Sequence, residues 1–131
     1  MTAPTSRPLS PHLTIWKWGP HMLVSILHRM TGSALTFAGL ALLTWWLLAI
    51  ASGAAAYDQF VAIATHPIDI AVLVGLTWAF YQHLFSGLRH FVMDVGAGYE
   101  LKINRLFAVL TIAAALFATA LTWAFFEGLI R

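Results

Sequence analysis

Two short stretches of this sequence place ionisable residues inside largely apolar surroundings. SILHRMTG (residues 25–32) and HLFSGLRH (residues 83–90) each contain a histidine that is followed four residues later by a glycine, with an arginine nearby. A neutral imidazole in such surroundings can ligate haem iron, relay protons or bond to a carbonyl group of a neighbouring helix. Ionisable groups inside a membrane are costly and commonly functional, so these stretches form the candidate site.

The first stretch gathers its polar residues on one side of a helix. Ser25, His28, Arg29 and Gly32 follow the spacing i, i+3, i+4, i+7, which predicts a shared face. The hydroxyl of Ser25 can donate a hydrogen bond to a carbonyl oxygen, and Arg29 offers a fixed cation for a carboxylate or a polarised oxygen. The competing interpretation is that His28 and Arg29 merely anchor a helix end at the membrane interface.

In the second stretch, His83 precedes Arg89 by six residues. At 1.5 Å per residue, it lies about 9 Å deeper than the charge that marks the interface. Gly87 lies beside His83 on the same helical face, and its missing side chain leaves room for a flat macrocycle. A close helix–helix contact at Gly87 is the structural alternative.

Depth predicts different positions for the three histidines of these stretches. We expect His28 and His90 near the interface and His83 deeper, so His28 and His83 should make a poor pair of axial ligands for one porphyrin. A second axial ligand would then come from another chain. The anionic propionates of a haem would point towards the interface, where we expect His28, Arg29, Arg89 and His90.

The composition indicates what kind of fold positions these residues. The chain has 131 residues, of which 60% are hydrophobic and only 9% are charged, too few charges to cover a soluble domain of this size. The predicted class is an all-α integral membrane protein. The sequence contains no cysteine, which excludes disulfides, thiolate metal sites and iron–sulfur ligation by this chain.

Three uncharged runs are long enough to cross a bilayer core of about 30 Å, which requires about 20 helical residues. They predict transmembrane helices at about 22–51, 68–93 and 105–127, preceded by an interfacial N-terminal segment. We expect one transmembrane domain over residues 1–131. The Ala-rich third helix is expected to pack closely against its neighbours.

The basic residues predict the orientation of these helices. Six of the seven flank the start of the first span or the connection between the second and third: Arg7, Lys17, Arg29, Arg89, Lys102 and Arg105. The positive-inside rule then places the N-terminus in the cytoplasm or matrix. A bacterial inner (plasma) membrane is the simpler location, and a mitochondrial inner membrane is the alternative.

The two stretches belong to longer motifs that resemble the cytochrome b membrane-anchor subunit of succinate dehydrogenase (complex II). The first motif lies within residues 7–31 and the second within residues 83–96. The first comprises Arg7-Pro8-Leu9, Leu13, Pro20 and Ser25-x-x-His28-Arg29-x-Thr31, and the second comprises His83, Gly87-Leu88-Arg89-His90, Asp94 and Gly96. Two long motifs in this order make the resemblance specific.

The resemblance implies roles for individual residues. His83 would be the axial ligand of haem b, while Ser25 and Arg29 would belong to the ubiquinone site. His28 would lie near the haem propionates, and Arg89 and His90 would contact the propionates or a helix end. The other axial ligand would belong to a second small anchor subunit.

The resemblance also implies partners. A flavoprotein and an iron–sulfur subunit would oxidise succinate and pass electrons to quinone, within the tricarboxylic acid cycle and respiratory electron transport. This chain would be inactive alone and would serve as their non-flavin membrane anchor. The alternatives are the anchor of a fumarate reductase, another quinone-linked b-type cytochrome, and a haem-free scaffold or small transporter subunit.

Overall fold

A computed structural model describes residues 10 and 12–130, and within them the chain is a bundle of α-helices. The helices are α1 (Pro20–Ser52), α2 (Ala54–Ala64), α3 (Pro67–Asp94) and α4 (Leu101–Ile130). Of these, α1, α3 and the Leu101–Gly128 part of α4 are long and apolar enough to cross a membrane. The predicted all-α class with three such helices is confirmed, and each predicted span lies inside the helix observed.

Local sequence signals explain where these helices begin and end. Pro20 occupies the first turn of α1, where its missing N–H is not needed for a helical hydrogen bond. Gly53 ends α1 with a φ of 101°, a conformation that other residues rarely adopt. At the start of α3, the ring of His66 accepts a hydrogen bond from the backbone N–H of Ile68 at 3.4 Å.

The short helix α2 occupies the segment between the first two predicted spans. It starts with three alanines, which are the strongest helix formers, and its first turn is closed by a bond from the Tyr57 N–H to the Gly53 carbonyl at 3.1 Å. Phe60 packs edge-on against Trp45 of α1, with 4.7 Å between the ring centroids. This contact folds α2 back onto the second half of α1.

Helix α1 is not regular throughout, because residues Leu35–Gly39 form a π-helical segment. The backbone N–H of Leu40 there bonds to the carbonyl of Leu35, five residues earlier. Such segments are rare and often accompany functional sites. The segment begins three residues after Gly32, the last residue of the helical face that also carries Ser25 and His28.

Small side chains let α1, α3 and α4 approach one another closely. The buried apolar residues of the bundle are Val24, Ala49, Ala79, Ala108 and Ala115. The predicted close packing of the Ala-rich last helix is confirmed at Ala115, which is fully buried. Bulky residues such as Leu84 and Leu88 of α3 are exposed on the outer faces, as a bundle that packs against lipid or other subunits requires.

Candidate functional site

The three histidines of the candidate site form one cluster between α1 and α3. The rings of His28 and His83 are stacked in parallel, with 4.1 Å between centroids and 7° between planes. The ring of His90 lies 4.9 Å from that of His28 and is tilted by 37°. The expectation that depth separates His28 from His83 is therefore wrong.

The neighbouring arginines are poor markers of depth in this bundle. Arg29 is exposed, and a long arginine stem lets its charge lie far from the level of its own backbone. His28 is eight residues into α1 and His83 is eleven residues from the end of α3, which correspond to about 12 Å and about 17 Å along the helices. Their stacked rings nevertheless lie at the same level between the antiparallel helices α1 and α3.

The histidine cluster is not a centre for a bare metal ion. Within the described part of the chain, no group of three or more His, Asp or Glu side chains is arranged to hold one. Stacked rings lie face to face instead of directing their nitrogen lone pairs at a common point, which is what shared ligation of one ion requires.

The second contact of His83 fixes its tautomer. Its Nδ1 lies 3.1 Å from the backbone carbonyl oxygen of His28. A carbonyl oxygen only accepts hydrogen bonds, so Nδ1 carries the proton and Nε2 keeps an unprotonated lone pair. The hydroxyl oxygen of Thr31 lies 3.4 Å from the same Nδ1. His83 is therefore held through one ring nitrogen and is able to ligate through the other.

His90 is held in a similar way, but by its own helix. Its Nδ1 donates to the carbonyl oxygen of Ser86 at 2.7 Å, which leaves Nε2 as the acceptor. His90 is half-buried, one turn from the end of α3. This position places an imidazole beside His28 at the end of the bundle where α1 begins and α3 ends.

The two glycines of the motifs serve the histidines of the opposite helices. A Cβ atom on Gly32 of α1 would lie 2.9 Å from Cε1 and 3.3 Å from Nδ1 of His83. A Cβ atom on Gly87 of α3 would lie 4.0 Å from Nε2 of His28, which is an ordinary contact. Gly32 is thus sterically required for the position of His83, whereas Gly87 leaves free space next to His28.

Ser25 and Arg29 lie on α1 one turn apart, with Ser25 half-buried and Arg29 exposed. Neither side chain makes a hydrogen bond to another residue in the described part of the chain. Their hydroxyl and guanidinium groups therefore remain able to bind a polar ligand beside the histidine cluster.

Arg89 points towards α4 and not towards the histidines. Its guanidinium donates to the side-chain oxygen of Asn104 at 2.8 Å, and only 8% of the residue is exposed. Asn104 donates in turn to the carbonyl of Gly98 at 3.2 Å. Of the two roles considered for Arg89, propionate contact or helix-end contact, this geometry favours the second.

The sequence pattern did not assign roles to several polar residues that the structure buries near the site. Thr31 is 3% exposed, and the pair Gln82 and Ser86 is fully buried and joined by a hydrogen bond of 3.0 Å. The spacing of Gln82 and Ser86, four residues apart in an apolar helix, is a signal that could have identified them. Thr31 could have been identified from its place three residues after His28.

Comparison with known proteins identifies the family. A family described as "Succinate dehydrogenase/Fumarate reductase transmembrane subunit" matches residues 3–122. The chain belongs to this family. Its relatives include the "Succinate dehydrogenase cytochrome b556 subunit" of Rickettsia felis, 36% identical over 89% of this chain and 90% of the relative. The subunit of the same name from Paracoccus denitrificans is 38% identical over 74% of each chain.

A human mitochondrial relative, the "Succinate dehydrogenase cytochrome b560 subunit", is 36% identical over 79% of this chain and 60% of the relative. The resemblance to succinate dehydrogenase cytochrome b anchors is therefore confirmed, and the alternative of an unrelated transporter subunit is excluded. The start of the first sequence motif, Arg7-Pro8-Leu9, lies outside the residues that the structure describes.

Proposed function

We propose that the chain is the membrane-anchor subunit of a succinate:quinone oxidoreductase. It holds a flavoprotein and an iron–sulfur subunit at the membrane, supplies one axial ligand of haem b and forms part of the ubiquinone site. The observation that carries this proposal is the hydrogen bond from His83 Nδ1 to the His28 carbonyl at 3.1 Å, which leaves Nε2 of His83 as a ligand.

The surroundings of His83 fit a haem ligand. Histidines that bind metals almost always donate their other ring N–H to a carbonyl or a carboxylate, as His83 does. When bound, haem b supplies a one-electron redox centre. An open apolar groove of about 350 Å³ between α1 and α3 is lined by Thr31, Ala34 and Ala79. His83 does not line this groove, but it contacts Thr31 at its edge.

His28 does not serve as the second axial ligand in this proposal. Its ring is stacked at 4.1 Å on that of His83, and a macrocycle cannot lie between two rings at that separation. We therefore assign the second ligand to a second small anchor subunit, with haem b shared between the two chains. His28 and His90 lie on the side of His83 that faces the start of α1, where they can bond to the propionates.

Ser25 and Arg29 are proposed to bind ubiquinone. The hydroxyl of Ser25 would donate to a quinone carbonyl oxygen, and the guanidinium of Arg29 would stabilise negative charge that develops on that oxygen during reduction. Arg29 is exposed within this chain, so this stabilisation would become strong where lipid or a partner subunit covers the guanidinium and excludes water. Electrons would come from the iron–sulfur subunit, because this chain has no cysteine that could hold a cluster.

The proposed location is a bacterial inner membrane, with the N-terminus in the cytoplasm. The support is the distribution of basic residues along the sequence, six of which lie near the start of the first span or near the connection between the second and third. Histidines 28, 83 and 90, Ser25 and Arg29 then lie in the cytoplasmic half. This is the side on which the soluble subunits must bind to deliver electrons.

The experiment is to purify the complex with His83→Ala and record its reduced-minus-oxidised spectrum and its haem content. We expect haem to be lost or displaced in this variant. The control is His66→Ala, which replaces an exposed histidine far from the cluster and should leave the spectrum unchanged. An unchanged spectrum in the His83 variant would contradict the axial assignment. Two haems per copy of this chain would favour another quinone-linked b-type cytochrome.

A further inference from the structure

We infer that Thr31 is a positioning residue for His83: its hydroxyl and the His28 carbonyl together hold Nδ1 and tune the ligand strength of Nε2. This inference rests on the proposed axial role of His83. The two acceptors lie 3.1 Å and 3.4 Å from the same nitrogen, so one N–H is shared between them.

The hydroxyl of Thr31 is itself fixed by its helix. It donates to the carbonyl oxygen of Leu27 at 2.7 Å, and the carbonyl oxygen of His28 lies 3.1 Å away. Since this hydrogen is directed at a backbone carbonyl, the oxygen of Thr31 presents a lone pair to His83. Thr31 is 3% exposed, so water does not compete for that lone pair.

The chemical consequence concerns the electron density of the imidazole. An acceptor at Nδ1 draws the proton away from the ring and makes Nε2 a stronger donor to a metal. A stronger donor favours the oxidised, more positively charged metal. Removing the Thr31 hydroxyl should therefore raise the midpoint potential of the haem and weaken its retention, with the His28 carbonyl still in place.

Other threonines of the chain provide a control. Thr44 on the same helix also donates to the carbonyl four residues earlier, Leu40, at 2.8 Å. It is exposed, and within the described residues its hydroxyl makes no hydrogen bond to a histidine. Thr44→Val therefore removes the same kind of intrahelical bond without touching His83.

The experiment uses the purified complex with Thr31→Val, Thr31→Ser and Thr44→Val. The readouts are the haem midpoint potential by redox titration and the rate of haem transfer to an added haem-binding apoprotein. We expect Thr31→Val to shift the potential upward and speed haem loss by about tenfold, the lower end for a group that supports a metal ligand. Thr31→Ser should restore both values, and Thr44→Val should leave both unchanged.

Three results would overturn the inference: wild-type values in Thr31→Val, equal changes in Thr31→Ser, or equal changes in Thr44→Val. Thr31→Ala provides a second variant lacking the hydroxyl if the valine variant does not assemble. His83→Leu separates the two proposals. Retention of haem in His83→Leu would contradict the axial role, whereas loss of haem there, combined with wild-type behaviour in Thr31→Val, would contradict only the role of Thr31.

Discussion

The imidazole of His83 on α3 lies directly against Gly32 on α1. A single methyl group at Gly32 would come within 2.9 Å of a ring carbon of His83, closer than carbon atoms normally approach. The bond from His83 to the His28 carbonyl is made one helical turn away from this contact. Gly32 and the His28 carbonyl therefore position the same ring, one by leaving space and the other by accepting a hydrogen bond.

Gly32→Ala is expected to displace His83 and to lower haem content. The close contact cannot be relieved by a small movement, because the His83 ring is held at Nδ1 and Gly32 belongs to the backbone of a helix. Overpacking of this kind lowers the free energy of unfolding by about 1–3 kcal/mol. Haem per complex measures the effect. Gly128→Ala is the control, since a Cβ atom there meets nothing within 4 Å and the residue does not line the groove beside Thr31; a normal haem content in both variants would contradict the steric role of Gly32.

Gly87→Ala tests the space assigned to a macrocycle. Within this chain the added Cβ makes only an ordinary contact, at 4.0 Å from His28, and alanine favours a helix over glycine by about 0.5–1 kcal/mol. Assembly of the complex should be normal, as judged by gel filtration. We expect haem content to fall while assembly stays normal, because the added methyl group occupies space proposed for the haem. Full haem content would contradict a place for Gly87 in the haem pocket.

How much of this arrangement the sequence predicts depends on the level of structure. Helix bounds follow from uncharged runs and from Pro20, Gly53 and Pro67, which act locally. The pairing of Gly32 with His83, and of Gly87 with His28, depends on how α1 and α3 cross. No spacing within one helix encodes that crossing, and the spacing alone pairs each glycine with the histidine of its own helix.

The quinone assignment predicts a split between two activities. Ser25→Ala and Arg29→Leu should each lower ubiquinone reduction by at least about tenfold, because a lost charge-assisted hydrogen bond in a site of low dielectric constant is worth about 1.5–3 kcal/mol. Reduction of an artificial dye by the soluble subunits should remain intact. Arg105→Leu, on an exposed position of α4, is the control. Equal loss of both activities would indicate an assembly defect instead.

Arg89 and Asn104 provide a test of the helix-end role. Asn104→Ala leaves a largely buried guanidinium without its acceptor, which should lower the stability of the complex by about 1–3 kcal/mol, measured by thermal unfolding. Asn104→Asp keeps the acceptor for Arg89 but loses the donor to the Gly98 carbonyl, so it should recover only part of that stability. The haem spectrum should not change in either variant. A shifted spectrum would instead indicate that Arg89 contacts the haem.

The π-helical segment at Leu35–Gly39 changes which way the second half of α1 faces. One additional residue in a turn rotates everything after it by about 100° relative to a regular helix of 3.6 residues per turn. The face that carries Ser25, His28 and Gly32 therefore does not continue along the same side to Trp45. Deleting one residue from this segment would restore a regular helix while rotating Trp45, together with Phe60 packed on it, relative to the face that carries His28, so α1 acts as two helices of different phase joined end to end.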